Sequence, residues 1–264
     1  MAQSVFERLT AAFLFHPTRG QSHSPAVLGL PFEDLRLQTE DGVHIQAWWI
    51  GARPERDLGV VVLMFHGNAG NLSMRLPDHL DLHTMGASVL AVEYRGYGDS
   101  EGQPSEAGLE RDARAGWAEA KRRAEARGAR IVVMGRSLGG AVAVGLAAGL
   151  EGLDGLWLES TFTSLADVAS TTGIPFAGQL AAYRFDSLGR IADVDAPVLL
   201  VHGVRDELIP IAQGRALADA ITASGGSVTF IPVPGGGHND TPQVAGHHYG
   251  EAVRAFLRSV VDRP

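Results

Sequence analysis

Ser137 sits between two glycines in the run "GRSLG" that starts at Gly135. An apolar stretch ends just before it and a run of small residues follows. A strand that turns at once into a helix forces unusual backbone angles on the turning residue and demands neighbours without bulk. Gly135 and Gly139 supply them, which makes Ser137 a candidate nucleophile on a strand–turn–helix elbow. A serine hydroxyl is a weak nucleophile at neutral pH and needs a general base. His238 follows three glycines after the last apolar run, on a loop able to bring its imidazole over a sheet edge. That imidazole needs an acid to fix its tautomer and stabilise the imidazolium. Asp206, just past "VLLVHG", is the candidate, and the adjacent Glu207 remains open. Asp240 suits a loop-stabilising role, and Asp193 and Asp195 precede their strand and fall at its wrong end. Acyl transfer also needs donors for a developing oxyanion. The backbone N–H of Leu138 follows the nucleophile. A second donor is expected from "HGNAGN", with Asn68 the first choice and Ala69 the second.

Other chemistries find less support. With no cysteine among 264 residues, disulfides, thiolate catalysis and Cys-based zinc sites are excluded. "EYRGYGDSEG" has glycines but neither the G-x-G-x-x-G spacing nor a Lys-Ser/Thr of a phosphate loop. There is no H-E-x-x-H, and His247-His248 alone is too slight for a metal site. The expectation is therefore no metal and no cofactor. Of the remaining histidines, His66 and His202 sit in apolar strands before glycine and read as hydrogen-bonded core residues. His16, His23, His44, His79 and His83 read as surface residues.

The elements that must position these groups follow a regular alternation. "EDLRLQTEDGVHIQAWWI" reads as two strands joined at Asp41-Gly42, a hairpin signal. "GVVVLMFHG", "ASVLAVEYRGYG", "RIVVMG", "LDGLWLES", "APVLLVHG" and "SVTFIPV" are apolar runs of the kind buried on both faces. Helical stretches fall near residues 73–85, 105–127, 138–149, 211–224 and 246–261. An antiparallel hairpin followed by alternating strands and helices predicts an α/β fold. Its sheet has about eight mostly parallel strands, with helices on both faces. Residues 31–264 form one domain, with a short lid-like excursion near 161–195. There Phe162, Phe176, Tyr183 and Phe185 either line a substrate pocket or fill core.

Composition narrows the partners. Apolar residues make up 45% of the chain and the formal net charge is -8. The charges are interspersed, so no basic groove for nucleic acid is expected. No apolar run reaches the roughly 18 residues of a membrane span. Residues 1–30 read as an amphipathic helix and linker. Val5, Phe6, Leu9, Phe13 and Leu14 share a helical face, which reads first as a helix docked on the body of an otherwise cytoplasmic protein. A weak membrane-surface contact through residues 1–15 is the alternative, and the polar face carries little positive charge for it. Oligomeric state is not encoded in any motif.

The order Ser137, Asp206, His238 is that of the α/β-hydrolases, and the chain resembles that superfamily. The likeness is carried by "HGNAGN", "EYRGYGDSEGQPSEAGLERDA", "GRSLGG", "LESTFTSL", "PVLLVHGVRDELIP" and "GGGHND", over residues 58–240. It is finer still to a lid-poor group that includes bud-emergence homologues and protein depalmitoylases. The resemblance implies Ser137 as nucleophile, Asp206 as acid, His238 as base, and Asn68 with Leu138 as oxyanion donors. The expected activity is that of a serine esterase, cleaving a small-molecule carboxylic ester through an acyl-enzyme. A thioesterase would use the same groups, and a non-catalytic binding scaffold is the rival from another class.

Overall fold

The computed structural model describes residues 14–172 and 183–263. Eight strands form the main sheet: β1 (Glu33–Gln38), β2 (His44–Ile50), β3 (Val60–Phe65), β4 (Ser88–Val92), β5 (Arg130–Arg136), β6 (Gly155–Glu159), β7 (Val198–Gly203) and β8 (Val228–Val233). Their spatial order is β8-β7-β6-β5-β3-β4-β2-β1. β1 and β2 form the expected antiparallel hairpin, and β2 joins β4 antiparallel. The remaining pairs are parallel.

Alternation of side chains along each strand explains why both faces need cover. In β3, Val61, Leu63 and Phe65 face one apolar cluster, while Val60, Val62 and Met64 face the other. The first cluster is closed by α2 (Glu106–Arg127), α3 (Leu138–Ala147) and α6 (Ile211–Ala223), through residues such as Leu109, Val142 and Leu217. The second is closed by α1 (Leu76–Met85) and α8 (His247–Val261), through Leu76, Leu82, Val253 and Leu257. Among the described residues between β6 and β7 are the short helices α4 (Leu165–Thr172) and α5 (Ser187–Ile191). A five-residue helix, α7 (Thr241–Ala245), precedes α8.

α1 departs from the surface reading of its histidines. His79 and His83 are buried with Leu76 and Leu82. The positions 76, 79 and 83 share one helical face, and the helix presents that face to the sheet. His79 meets the edge of Trp48, with ring centroids 6.0 Å apart.

Of the expected N-terminal helix and linker, residues 1–13 lie outside the described residues. The part from residue 14 runs along the body. His16–Pro17 pair in parallel with Ala69–Gly70. Thr18 donates its N–H to Gly70 O at 3.0 Å and accepts from Gly98 N–H at 2.9 Å. Phe15 is buried and meets Tyr183 edge-on at 5.6 Å. Among the described residues, no helix is long and apolar enough to cross a membrane.

Candidate active site

β5 ends at Arg136 and α3 begins at Leu138, so Ser137 alone makes the turn. Its backbone lies at φ 54°, ψ -119°, in the left-handed half of conformational space that L-residues rarely occupy. Such strain costs on the order of 1–3 kcal/mol and persists only where the surroundings enforce it. Here they do. A Cβ on Gly135 would fall well under 3.0 Å from Gly139 O, and one on Gly139 equally close to Phe65 O. Strand, turn and helix therefore approach as only glycine permits. Ser137 N–H donates to Glu159 O at 2.9 Å, and Ser137 O accepts from Thr161 Oγ1 at 2.9 Å. The neighbouring Arg136 guanidinium donates from Nε to Glu159 Oε2 at 2.8 Å. Tyr249 OH donates to the other oxygen of Glu159. Burial works against the Arg136 charge, but the Glu159 and Asp78 carboxylates more than offset it, and its pKa is raised.

The loops after β7 and β8 are fastened together. Val204 N–H donates to Val233 O at 3.0 Å and Arg205 N–H to Gly236 O at 2.8 Å. Gly203 permits the approach, since a Cβ there would clash with Gly236 O and Gly237 O. This brings Asp206 to His238, with Oδ2 2.8 Å from Nδ1. His238 Nε2 lies 3.1 Å from Ser137 Oγ. The hydroxyl, imidazole and carboxylate thus form one continuous hydrogen-bonded chain. Glu207 is exposed, while the Asp206 side chain is fully buried. Asp240 accepts from Gly237 N–H at 2.6 Å, which braces the His238 loop.

Asp206 is held as a carboxylate by four donors. Oδ1 accepts from the N–H groups of Leu208 (3.0 Å) and Ile209 (2.8 Å). Oδ2 faces His238 and, at 3.4 Å, His202 Nε2. Burial pushes the carboxyl pKa up. The hydrogen bonds from His202, His238 and Ile209 outweigh it and hold the group well below the usual carboxylate range. His202 lies in the core, as its apolar strand suggests, but nothing in the sequence marks its position against Asp206. The preceding strand run gives burial, not the direction of a ring. His202 Nε2 also lies 2.8 Å from Ile209 O, which fixes a proton on that nitrogen because a carbonyl only accepts.

The two candidate oxyanion donors flank the serine. Leu138 is the first residue of α3, where a backbone N–H has no intrahelical acceptor and the helix end carries partial positive charge. Asn68 lies on the loop after β3, and its neighbour Gly67 abuts Ser137: a Cβ on Gly67 would sit 3.6 Å from Ser137 Cβ. The Asn68 side chain is engaged elsewhere. Nδ2 donates to Leu14 O at 2.7 Å and Oδ1 accepts from Tyr97 OH at 2.9 Å. What Asn68 can offer a ligand is therefore its backbone. Phe162, Tyr183 and Phe185 are buried in the apolar cluster that includes Leu138. Phe176 lies outside the described residues. Tyr94 and Tyr97, from "EYRGYG", pack against His66 beside the Asn68 loop.

Comparison with known proteins agrees with this architecture. A sequence profile described as the alpha/beta hydrolase fold matches residues 60–167. The alpha/beta hydrolase domain-containing protein WAV2 of Arabidopsis thaliana is 34% identical over 250 residues, covering 89% of this chain and 81% of the relative. Protein bem46 of Schizosaccharomyces pombe is 32% identical over 244 residues, covering 89% and 79%. Among solved structures, an esterase of Pyrococcus furiosus superposes with a TM-score of 0.77 at 22% identity, over 94% of this chain and 98% of that one. The strand order, the elbow and these relatives together place the chain in the α/β-hydrolase family, in the group that includes bem46 and WAV2.

Proposed function

We propose that this protein is a serine hydrolase that cleaves carboxylic esters through an acyl-enzyme. The single observation that carries the reading is the unbroken chain Ser137 Oγ–His238–Asp206, with 3.1 and 2.8 Å links, ending on a serine at positive φ. Ser137 Oγ attacks the acyl carbon while its proton passes to His238 Nε2. The carbonyl electron pair moves onto oxygen, facing the N–H groups of Leu138 and Asn68. Asp206 holds Nδ1–H and stabilises the imidazolium. Collapse breaks the bond to the alcohol, which leaves with the proton from His238. Water, deprotonated by His238, then attacks the acyl-enzyme and releases the acid, restoring Ser137.

The test is hydrolysis of p-nitrophenyl esters of graded chain length by the wild type and Ser137→Ala. Wild-type turnover is expected, with kcat reduced by on the order of 10,000-fold or more in the variant and its melting temperature kept. Equal rates in the two proteins would overturn the assignment. A folded wild type that turns over no ester would favour a binding scaffold.

A further inference from the structure

β3 is followed at once by a histidine whose two ring nitrogens are both engaged inside the protein. His66 is buried, its side chain fully excluded from solvent, as is that of Glu93 just past β4. His66 Nε2 lies 2.8 Å from Glu93 Oε1, and Nδ1 lies 2.7 Å from Gly67 O. The second oxygen of Glu93 accepts from Gln21 Nε2 at 2.7 Å and from Leu72 N–H at 2.9 Å. Gly67 O can only accept, so Nδ1 carries a hydrogen wherever the proton between Nε2 and Glu93 resides. The direction of the Nδ1–H···O=C bond is thereby fixed.

Gly67 O belongs to the same peptide unit as Asn68 N–H. No peptide bond among the described residues is cis. In a planar trans peptide the N–H points opposite to the C=O. With its carbonyl drawn back to His66, the unit turns its N–H out of the core, on the loop that abuts Ser137. A hydrogen bond to the carbonyl also polarises the N–H at the other end, because hydrogen bonds in series strengthen one another. The preceding peptide is pinned as well, since His66 O accepts from Tyr94 OH at 2.8 Å.

We propose that His66, braced by Glu93, is a positioning residue that orients and polarises the Gly67–Asn68 peptide as an oxyanion donor. This rests on the serine hydrolase reading above. His66 touches no substrate and acts through the peptide. Its effect belongs to the transition state, where negative charge forms on the carbonyl oxygen, and not to ground-state binding.

Two variants separate the two ring nitrogens. His66→Asn keeps a side-chain N–H near the place of Nδ1 and loses the Glu93 contact. His66→Gln keeps a donor near the place of Nε2 and loses the bond to Gly67 O. Both are checked for folding by thermal melting. With a p-nitrophenyl ester, His66→Gln is expected to lower kcat about a hundredfold with KM within about threefold, and to weaken a trifluoromethyl ketone inhibitor by the same factor. His66→Asn is expected to recover most of that loss. A merely structural role would lower both variants in step with their melting temperatures and give no recovery. That result, or an unchanged kcat in folded His66→Gln, overturns the proposal. A separate readout does not depend on turnover. The Asn68 amide nitrogen resonance is expected to move upfield in His66→Gln and to return in His66→Asn; an unmoved resonance overturns the proposal. A wild type inert to both ester and ketone would instead refute the hydrolase reading, and the resonance would still decide whether His66 sets this peptide.

Discussion

At the scale of single residues, Asp206 shows how much of the site depends on burial. "RDEL" offers two adjacent carboxylates, and composition cannot choose between them. The choice is made by loop direction, which buries Asp206 and leaves Glu207 exposed. Asp206→Asn is expected to lower kcat by on the order of 10,000-fold with the fold kept, because the amide no longer enforces the tautomer that His238 needs. Glu207→Gln is expected to change kcat by less than about twofold. Steady-state rates for both variants check the pair. The depressed pKa of Asp206 also fixes a sign. Its stabilising contribution is complete above the ordinary aspartate value of 3.8 and is lost only as pH falls through the lower folded value. Asp206 is thus a carboxylate at any pH where esters are normally assayed. Ser137, Asp206 and His238 were legible because each follows an apolar run at a strand end. The partners of His66 and His202 were not, since a ring's orientation depends on neighbours far away in the chain.

Elements carry the next level of constraint. The elbow was legible because its glycines have a steric purpose that any strand–turn–helix shares. Gly139→Ala would drive a methyl into Phe65 O, a backbone atom that cannot step aside. The expected cost is about 3 kcal/mol or more, seen as a lower melting temperature or loss of folded protein. α1 was legible as a helix, but not as one that buries histidines. Polar identity suggested the surface, whereas the spacing of Leu76, His79 and His83 described the face that packs inward. His79 carries a measurable consequence. Burial pulls its pKa down to about 3. The folded ring stays neutral, while the unfolded chain takes up a proton below the ordinary value of 6.5. Stability is therefore complete above pH 6.5 and falls as pH drops toward 3, by at most about 1.4 kcal/mol per pH unit from this group. His79→Leu is expected to lose less stability than the wild type between pH 7.5 and pH 5 in urea denaturation. Equal losses would contradict the assignment.

Across the whole molecule, strand order decides where chemistry collects. The sequence lists eight strands but not their neighbours, because pairing is non-local. The observed order puts β3 between β4 and β5. Successive crossovers therefore leave this centre in opposite directions, which opens a crevice at the carboxyl ends of the strands. The Asn68 loop follows β3, the elbow follows β5, and the Asp206 and His238 loops follow β7 and β8. The stretch from residue 14 to residue 20 adds a strap along the Asn68 loop that no local pattern announced. Its bonds are single contacts to residues more than fifty positions away, and such pairings leave no periodicity to read.

The proposed chemistry needs one hydroxyl in the chain to be made nucleophilic by its place in this arrangement. Its most direct test is mass spectrometry of the protein after treatment with a fluorophosphonate. A single stoichiometric adduct is expected on the peptide containing Ser137, absent from Ser137→Ala and strongly slowed in a His238→Ala variant. A folded wild type that stays unlabelled, or an adduct on another serine with Ser137 free, would contradict it.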